Sequence, residues 1–272
     1  MLSKITGNET TYLFTAKILG KYDVKYYRCN ETGFIQTEEP YWLPEAYSSA
    51  ITQLDIGLPY RNYTLANRVS KILAENFNAQ KPYLDYAGGY GLFTRLMRDK
   101  GFNFYHTDKY CQNIFANYFD LHDLKGNTKF ELVTTFEVFE HLANPMEEIK
   151  QILEFSDSLL FSTELQPNNI SKVDDWSYFS VETGQHVSFY TSASLEYIAD
   201  KLGYNFYSDG SFLHLFTKNK FGYNLLAPAK EGFLLRKAKK YIRKRENAAK
   251  MPQSLLMRDW QYIKDKLNGK GD

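Results

Sequence analysis

The chain has few cysteines, no excess of charge and no long apolar run. Cys29 and Cys111 are the only cysteines among 272 residues, too few for a disulfide scaffold. Together with the absence of an apolar leader at the start of the sequence, this predicts a cytoplasmic protein. The 33 basic and 32 acidic residues nearly cancel, so the whole molecule gives no reason to expect a polyanionic partner. No apolar run is long enough to span a bilayer.

Apolar and aromatic residues are plentiful. Hydrophobic residues make up 43% of the chain and aromatic residues 17%. This composition and length predict one principal domain with a sizeable core and extensions at its ends. The rings suit stacking on adenine or a sugar as readily as core packing, and composition does not separate these uses.

A glycine-rich turn follows an apolar strand near residue 85. The strand contains Asp85, and the turn holds Gly88, Gly89 and Gly91, with Ala87 where a glycine is usual. Glycines permit positive φ and bring the amides of the following helix close to a ligand. The spacing is not G-x-G-x-x-G, and a carboxylate here would repel a pyrophosphate. The pattern therefore favours a cofactor with an ammonium group over NAD, with a purely structural turn as the alternative.

A second strand, residues 102–107, is followed by Asp108, about 23 residues beyond Asp85. This spacing is typical of an acid that accepts hydrogen bonds from ribose hydroxyls, and capping of a following helix is the alternative. The stretch from there to Asp120 and Asp123 is short for a full crossover. The sequence therefore predicts a stunted second crossover helix.

Three ionisable side chains lie between the next strand and a helix. Residues 130–136 form a strand pattern, and Glu137, Glu140 and His141 follow it before a helix start marked by Asn144 and Pro145. In open α/β sheets this carboxyl edge binds ligands.

The remaining pattern completes an α/β fold. A fifth strand at 159–163 precedes a long polar loop, a helix at 192–202 and two strands at 204–207 and 212–216 that form a closing hairpin. We therefore expect a Rossmann-like, mostly parallel seven-stranded sheet with helices on both faces, plus N-terminal and C-terminal extensions.

In this order the motifs resemble class I S-adenosylmethionine-dependent methyltransferases over about residues 65–218. The resemblance implies a methyltransferase domain there, an N-terminal substrate cap at 1–64 and a basic helical extension at 219–272. It also implies S-adenosylmethionine as cofactor, with Asp108 on the ribose and Asp120 or Asp123 on the adenine amino group. The implied cofactor-binding residues are Asp85, Ala87, Gly88, Gly89, Gly91, Asp108, Asp120, Asp123 and Phe136.

The run E-x-x-E-H with a later histidine resembles two groups of that superfamily, the ubiquinone-pathway O-methyltransferases and the small-RNA 3′-end 2′-O-methyltransferases. The resemblance implies that Glu137, Glu140, His141 and His186 hold Mg²⁺ or Mn²⁺ beside the acceptor hydroxyl. In the metal-free alternative, His141 is the general base and Glu140 acts with it. The other histidines are predicted to be structural or solvated: His106, His122 and His214.

The N-terminal part, residues 26–47, looks like a bacterial subgroup associated with sugar-polymer biosynthesis. Relatives there carry C-x-x-C, but this chain has only Cys29, so a structural zinc is not expected. Tyr41, Trp42 and Gln185 are candidate substrate contacts, with core packing as the alternative for the two rings.

The tail has a basic, partly amphipathic helical pattern at residues 233–245. Membrane headgroups, an anionic glycan carrier or RNA would attract it, and docking on the domain is the alternative. The sequence gives no signal for an oligomeric state.

These patterns rank three functions. The first is O-methylation of a sugar or glycan-precursor hydroxyl, a small-molecule or glycan substrate, with possible help from a divalent metal. The second is RNA 3′-end 2′-O-methylation, which the metal residues and basic tail favour and the lack of an RNA module weakens. The third is a non-catalytic cofactor-binding partner protein, indicated by Ala87 and the short crossover.

Overall fold

The computed structural model describes residues 1–48, 51–52, 54–124, 126, 129–227 and 251–268. The chain divides into two compact units. The first unit consists of residues 1–54 and 135–226, and the second of residues 55–134 and 227–272. The predicted basic helix at 233–245 lies outside the described residues, and the predicted domain boundaries stay predictions.

Within the described residues, the strands are β1 (Thr10–Ile18), β2 (Tyr22–Cys29), β3 (Ile35–Thr37), β4 (Tyr83–Tyr86), β5 (Phe104–Thr107), β6 (Val133–Phe136), β7 (Ser158–Ser162), β8 (Ser188–Phe189), β9 (Asn205–Ser208) and β10 (Leu213–Thr217). The helices are α1 (Leu43–Ala46), α2 (Leu58–Asn76), α3 (Leu92–Asp99), α4 (Pro145–Leu153), α5 (Ser192–Leu202) and α6 (Leu256–Leu267).

One sheet belongs to the first unit. It has the order β1-β2-β3-β8, and each neighbouring pair is antiparallel. Along β1 the buried side chains Phe14, Ala16 and Ile18 alternate with more exposed ones, because successive residues of a strand point to opposite faces. Phe14 packs against Tyr26 and Phe179, so this sheet encloses an aromatic core.

The other sheet has the order β5-β4-β6-β7-β10-β9. β4 pairs in parallel with β5 and β6, and β10 pairs antiparallel with β7 and β9. The register places Asp85 of β4 opposite His106 of β5 and Thr134 of β6. This mixed sheet confirms the Rossmann-like α/β class and the closing hairpin.

The prediction of seven strands is wrong, since this sheet has six within the described part of the chain. Where a further parallel strand was expected, Asp120 makes one isolated parallel bridge with His106, and Leu121–Asp123 form a 3-10 turn. A parallel crossover needs a dozen or more residues, usually with a helix. The segment between β5 and Asp120 contains no helix. The crossover is therefore short, as the sequence indicated, and the strand expected after it is reduced to this single bridge.

Amphipathic patterns place the helices. The buried residues of α2 include Leu65, Val69 and Leu73, which share one helical face at four-residue spacing. α4 begins at Pro145 as predicted, but the side chain of Asn144 forms no cap bond. Among the described residues, no helix is long and apolar enough to cross a membrane.

In the second unit α6 attaches to α3 through a buried ion pair. Both carboxylate oxygens of Asp259 accept bonds from Arg98, at 2.8 and 2.9 Å, and Arg95 adds a bond of 3.0 Å. The guanidinium of Arg98 also lies 3.5 Å from the ring centre of Phe119. Gly101 has φ +94° and no Cβ, so the backbone carbonyl of Pro252 can approach it closely. An added Cβ would lie 2.7 Å from that carbonyl oxygen. The C-terminal helix therefore fixes the helix that follows the glycine-rich turn.

Candidate functional site

The glycine-rich turn of the second unit connects β4 to α3. Ala87, Gly89 and Gly91 have φ values of 55°, 58° and 80°, in the left-handed region that favours glycine. At Gly88 an added Cβ would lie 2.5 Å from Oδ2 of Asp85, and at Gly91 it would clash with Oδ1 of Asn113. Backbone conformation and close packing therefore explain the predicted glycines. Ala87 occupies a left-handed position although it lacks the conformational freedom of glycine.

Asp85 lies beneath this turn and is 2% exposed. Its carboxylate accepts hydrogen bonds from the hydroxyls of Thr94 and Thr134, each at 3.0 Å. Burial raises the pKa of Asp85 to about 6, although the nearby charge of His106 lowers it. The carboxylate therefore ties β4 to β6 and α3, and its direct contact with an ammonium group stays a prediction.

Asp108 follows β5 and holds the turn from the other side. Its Oδ2 accepts from the Gly89 amide at 2.9 Å, and its Oδ1 accepts from the amides of Tyr110 and Cys111, each at 2.7 Å. The predicted ribose acid thus touches the glycine-rich turn directly. It also fixes the bend that follows it, where no helix begins, and its contact with a ribose stays a prediction.

The two candidate adenine acids differ in their surroundings. Asp120 Oδ1 lies 2.8 Å from His106 Nδ1, and Asp120 Oδ2 accepts from Asn113 at 3.1 Å. Asp123 accepts the backbone amide of Asp120 at 2.8 Å. Asp120 therefore belongs to a polar network that also involves the glycine-rich turn. Asp123 caps the 3-10 turn that begins after Asp120.

The first unit brings together three of the four predicted metal ligands. Glu140, His141 and His186 each offer a ligand atom, and these atoms lie within 4.8 Å of one another. Glu140 and His141 belong to a 3-10 turn after β6, and the Val187 amide bonds to the Glu140 carbonyl at 2.8 Å. Glu137 is not in this group: its Oε1 accepts from the Ser162 hydroxyl at 2.7 Å.

Hydrogen bonds orient both histidines. His186 Nδ1 lies 2.6 Å from the backbone carbonyl of Tyr178, which can only accept, so Nδ1 carries the proton and Nε2 offers its lone pair. His141 Nδ1 lies 3.0 Å from the Tyr47 hydroxyl. Desolvation lowers the pKa of His141 well below its usual range, and the neighbouring His186 lowers it further. Desolvation likewise lowers the pKa of His186, so both rings are uncharged at neutral pH.

Residues 59–208, more than half of the chain, match a protein family described as a methyltransferase domain. The chain belongs to this family. This confirms the predicted enzyme class, a methyltransferase. No curated protein matches this chain.

Solved structures resemble the methyltransferase at low identity. An O-methyltransferase family protein from Burkholderia thailandensis is 10% identical, with 67% of this chain and 64% of that chain covered and a TM-score of 0.44. TnmH is 14% identical, with 66% and 62% covered and a TM-score of 0.44. The plantazolicin methyltransferase BpumL, in complex with a desmethyl analogue and SAH, is 10% identical, with 66% and 93% covered and a TM-score of 0.44. The methyltransferase thus spans less than two thirds of the length of the first two proteins.

The three substrate candidates of the methyltransferase differ in exposure. Tyr41 is 58% exposed, whereas Trp42 is 1% exposed and donates its indole N–H to the Gly184 carbonyl at 2.8 Å. The ring of Trp42 therefore packs in the core and offers no stacking face. Gln185 is buried and donates to the Ala46 carbonyl at 2.9 Å. Phe136, the predicted cofactor contact, is half-buried at the end of β6.

Sequence reasoning missed two residues that touch these sites, His106 and Tyr47. His106 was interpreted as structural or solvated, but it bonds both the glycine-rich turn and Asp120. Its position in β5 two residues before Asp108 was the available signal. Tyr47 reaches His141 from the end of α1, and no spacing in the sequence indicates a contact across 94 residues.

Proposed function

We propose that this enzyme methylates a hydroxyl group of a sugar or glycan precursor. The observation that carries the proposal is the group formed by Glu140, His141 and His186. A hydroxyl must lose its proton to become a good nucleophile, and uncharged imidazoles accept that proton at neutral pH. The preference for a sugar rests on the N-terminal resemblance and on the exposed ring of Tyr41.

The residues of the second unit fit S-adenosylmethionine. Gly88 and Gly91 leave no Cβ in the turn, and the amides at the start of α3 follow it. The surrounding acids Asp85, Asp108 and Asp120 would repel a pyrophosphate but suit an ammonium group and ribose hydroxyls. When bound, this cofactor supplies an electrophilic methyl group on a sulfonium.

The chain's own residues then act on the acceptor. We infer that His141 or His186 takes the proton of the acceptor hydroxyl, whose oxygen would receive the methyl group that the cofactor would supply. The bond from His186 Nδ1 to the Tyr178 carbonyl fixes the ring and leaves Nε2 for the proton. Orientation of the reacting groups supplies most of the rate, since near-attack positioning lowers such barriers strongly.

The same three side chains fit a divalent ion such as Mn²⁺ or Mg²⁺. One carboxylate and two uncharged imidazoles are a donor set for borderline ions. A backbone carbonyl that accepts from the second ring nitrogen, as in His186, is the usual support of a metal-bound histidine. Glu140, His141 and His186 would hold the ion, and Glu137, whose Oε1 accepts from Ser162, lies outside this group. Such an ion would lower the pKa of the acceptor hydroxyl.

The test is transfer of labelled methyl groups from S-adenosylmethionine to a panel of monosaccharides, nucleotide sugars, oligosaccharides and RNA 3′ ends. We expect a sugar acceptor, and His186→Gln should lower kcat by roughly 10²- to 10⁴-fold with unchanged affinity for S-adenosylhomocysteine. The matched control is His122→Gln, since His122 is 81% exposed and belongs to the other unit.

Other acceptors would contradict parts of the proposal. Methylation of RNA ends alone would replace the sugar by the second candidate, and methylation of nitrogen alone would remove the hydroxyl. Metal participation is measured separately by Mn²⁺ titration of the purified enzyme with a chelator control. Binding that disappears in His186→Gln supports the ion, and activity unchanged by chelator assigns the histidines as bases.

A further inference from the structure

His106 is a buried histidine with an acceptor at each ring nitrogen. The residue is 1% exposed and lies in β5, beside the glycine-rich turn. Its Nε2 lies 2.9 Å from the Gly89 carbonyl and its Nδ1 lies 2.8 Å from Asp120 Oδ1. A Cβ at Gly88 would lie 2.8 Å from its ring carbon Cδ2, so the turn sits directly on the imidazole.

These partners determine where the protons are. The Gly89 carbonyl can only accept, so Nε2 of His106 must donate. A carboxylate also only accepts, so the contact with Asp120 places a second proton on Nδ1. A neutral imidazole has one N–H and cannot satisfy both partners. The His106–Asp120 pair therefore holds one proton more than a neutral ring beside a carboxylate.

We propose that His106 is a positioning residue for the cofactor, holding the carbonyl of Gly89 through an imidazolium that is paired with Asp120. The amide of the same Gly89 donates to Asp108, so Asp108 and His106 hold the N–H and the C=O of one residue, on the two peptide groups that flank it. Without the bond from His106 the Gly89 carbonyl is no longer held in place, and cofactor affinity declines.

This proposal rests on the assignment of S-adenosylmethionine as cofactor, and titration calorimetry with S-adenosylhomocysteine separates the two. The dissociation constant is measured from about pH 6 to about pH 9 for wild type, His106→Asn and His106→Gln. Asparagine keeps a donor toward Asp120 and loses the bond to Gly89, whereas glutamine keeps a donor toward Gly89. His122→Gln is the control, since that ring is exposed on the neighbouring turn.

We expect His106→Asn to weaken binding roughly tenfold at neutral pH, as for loss of one buried hydrogen bond, and His106→Gln to weaken it less. His122→Gln should keep the wild-type dissociation constant. Long-range proton–nitrogen NMR of the unliganded wild type should show protons on both ring nitrogens of His106. Circular dichroism confirms that each variant is folded.

The outcomes are distinct. Binding by wild type with the same affinity in both His106 variants overturns the proposal and leaves the cofactor assignment standing. A neutral His106 ring at neutral pH in the NMR spectrum overturns the imidazolium directly. No binding by wild type at any pH contradicts the cofactor assignment itself.

Discussion

The histidines of the two units have contrasting partners. In the second unit His106 lies between the Asp120 carboxylate and the Gly89 carbonyl. In the first unit His186 lies among aromatic rings, with ring centres 4.8 Å from Tyr178 and 4.9 Å from His141. At His186 desolvation outweighs the nearby carboxylates and lowers the pKa of the ring, so this imidazole is neutral at neutral pH. One residue type can therefore serve as a fixed donor in one unit and as a proton acceptor or ligand in the other.

The contrast extends beyond histidine. Buried carboxylates hold parts of the second unit together, namely Asp85 under the turn and Asp259 on α6. Stacked aromatic rings fill the first unit, where the ring centres of Phe139 and Phe161 lie 3.8 Å apart. The buried neutral His141 and His186 must gain a charge as the pH falls below the unfolded value of about 6.5, whereas the Asp259 pair is lost only below about 3.9, so acid should affect the first unit first.

The largest expected effect comes from breaking the charge network with Asp259→Asn. Removing one partner of a buried ion pair leaves Arg98 without its counter-charge, and we expect a loss of about 3 kcal/mol in the free energy of unfolding. Burial alone raises the pKa of Asp259, but the hydrogen bonds and charges of Arg98 and Arg95 outweigh it and lower the pKa overall. Its stabilisation is therefore complete above the unfolded pKa of about 3.9 and declines as the pH falls through the lower folded value.

Urea unfolding at neutral and acid pH measures this prediction. Asp23→Asn is the control, because the Lys17–Asp23 pair at 2.9 Å is exposed and should change stability by less than about 0.5 kcal/mol. Equal effects of the two substitutions, or a difference that grows in acid, would show that the buried pair does not hold α6.

A smaller effect is expected at the glycine-rich turn from Asp108→Asn. The amide side chain keeps an oxygen for the amides of Tyr110 and Cys111 but presents N–H groups to the Gly89 amide. We expect roughly tenfold weaker binding of S-adenosylhomocysteine by calorimetry, since one charge-assisted bond is lost. Asp200→Asn, on the exposed face of α5, is the control. Unchanged affinity in Asp108→Asn would contradict the role of Asp108.

The smallest effect is expected from relieving backbone strain in the glycine-rich turn. Ala87 has φ 55°, which costs an L-residue about 1 kcal/mol, and Ala87→Gly removes that strain at the expense of unfolded-chain entropy. We expect a gain of about 0.5 kcal/mol in thermal or urea unfolding. Ala66→Gly, in the regular helix α2, should instead lose about 1 kcal/mol. A loss at both positions would show that Ala87 is not strained.

Much of the fold was predictable because it follows from local pattern. The apolar runs predicted β4, β7 and the β9–β10 hairpin within one to three residues, and the helix at Ser192–Leu202 was predicted with its observed bounds. The seventh strand was not predictable in this way. Its absence depends on how few residues separate β5 from Asp120, and the single bridge there became visible only in the sheet.

The sequence by itself determined which residue types stand at the ends of β4, β5 and β6: glycines, acids and the run from Glu137 to His141. Strand register and turn chemistry are local properties, so these positions could be derived from spacing. Only the tertiary structure decided their partners: His106 on Gly89, Tyr47 on His141, and Trp42 in the core rather than on a substrate. Burial and hydrogen bonding between distant segments set charge state and exposure, and no local pattern encodes them.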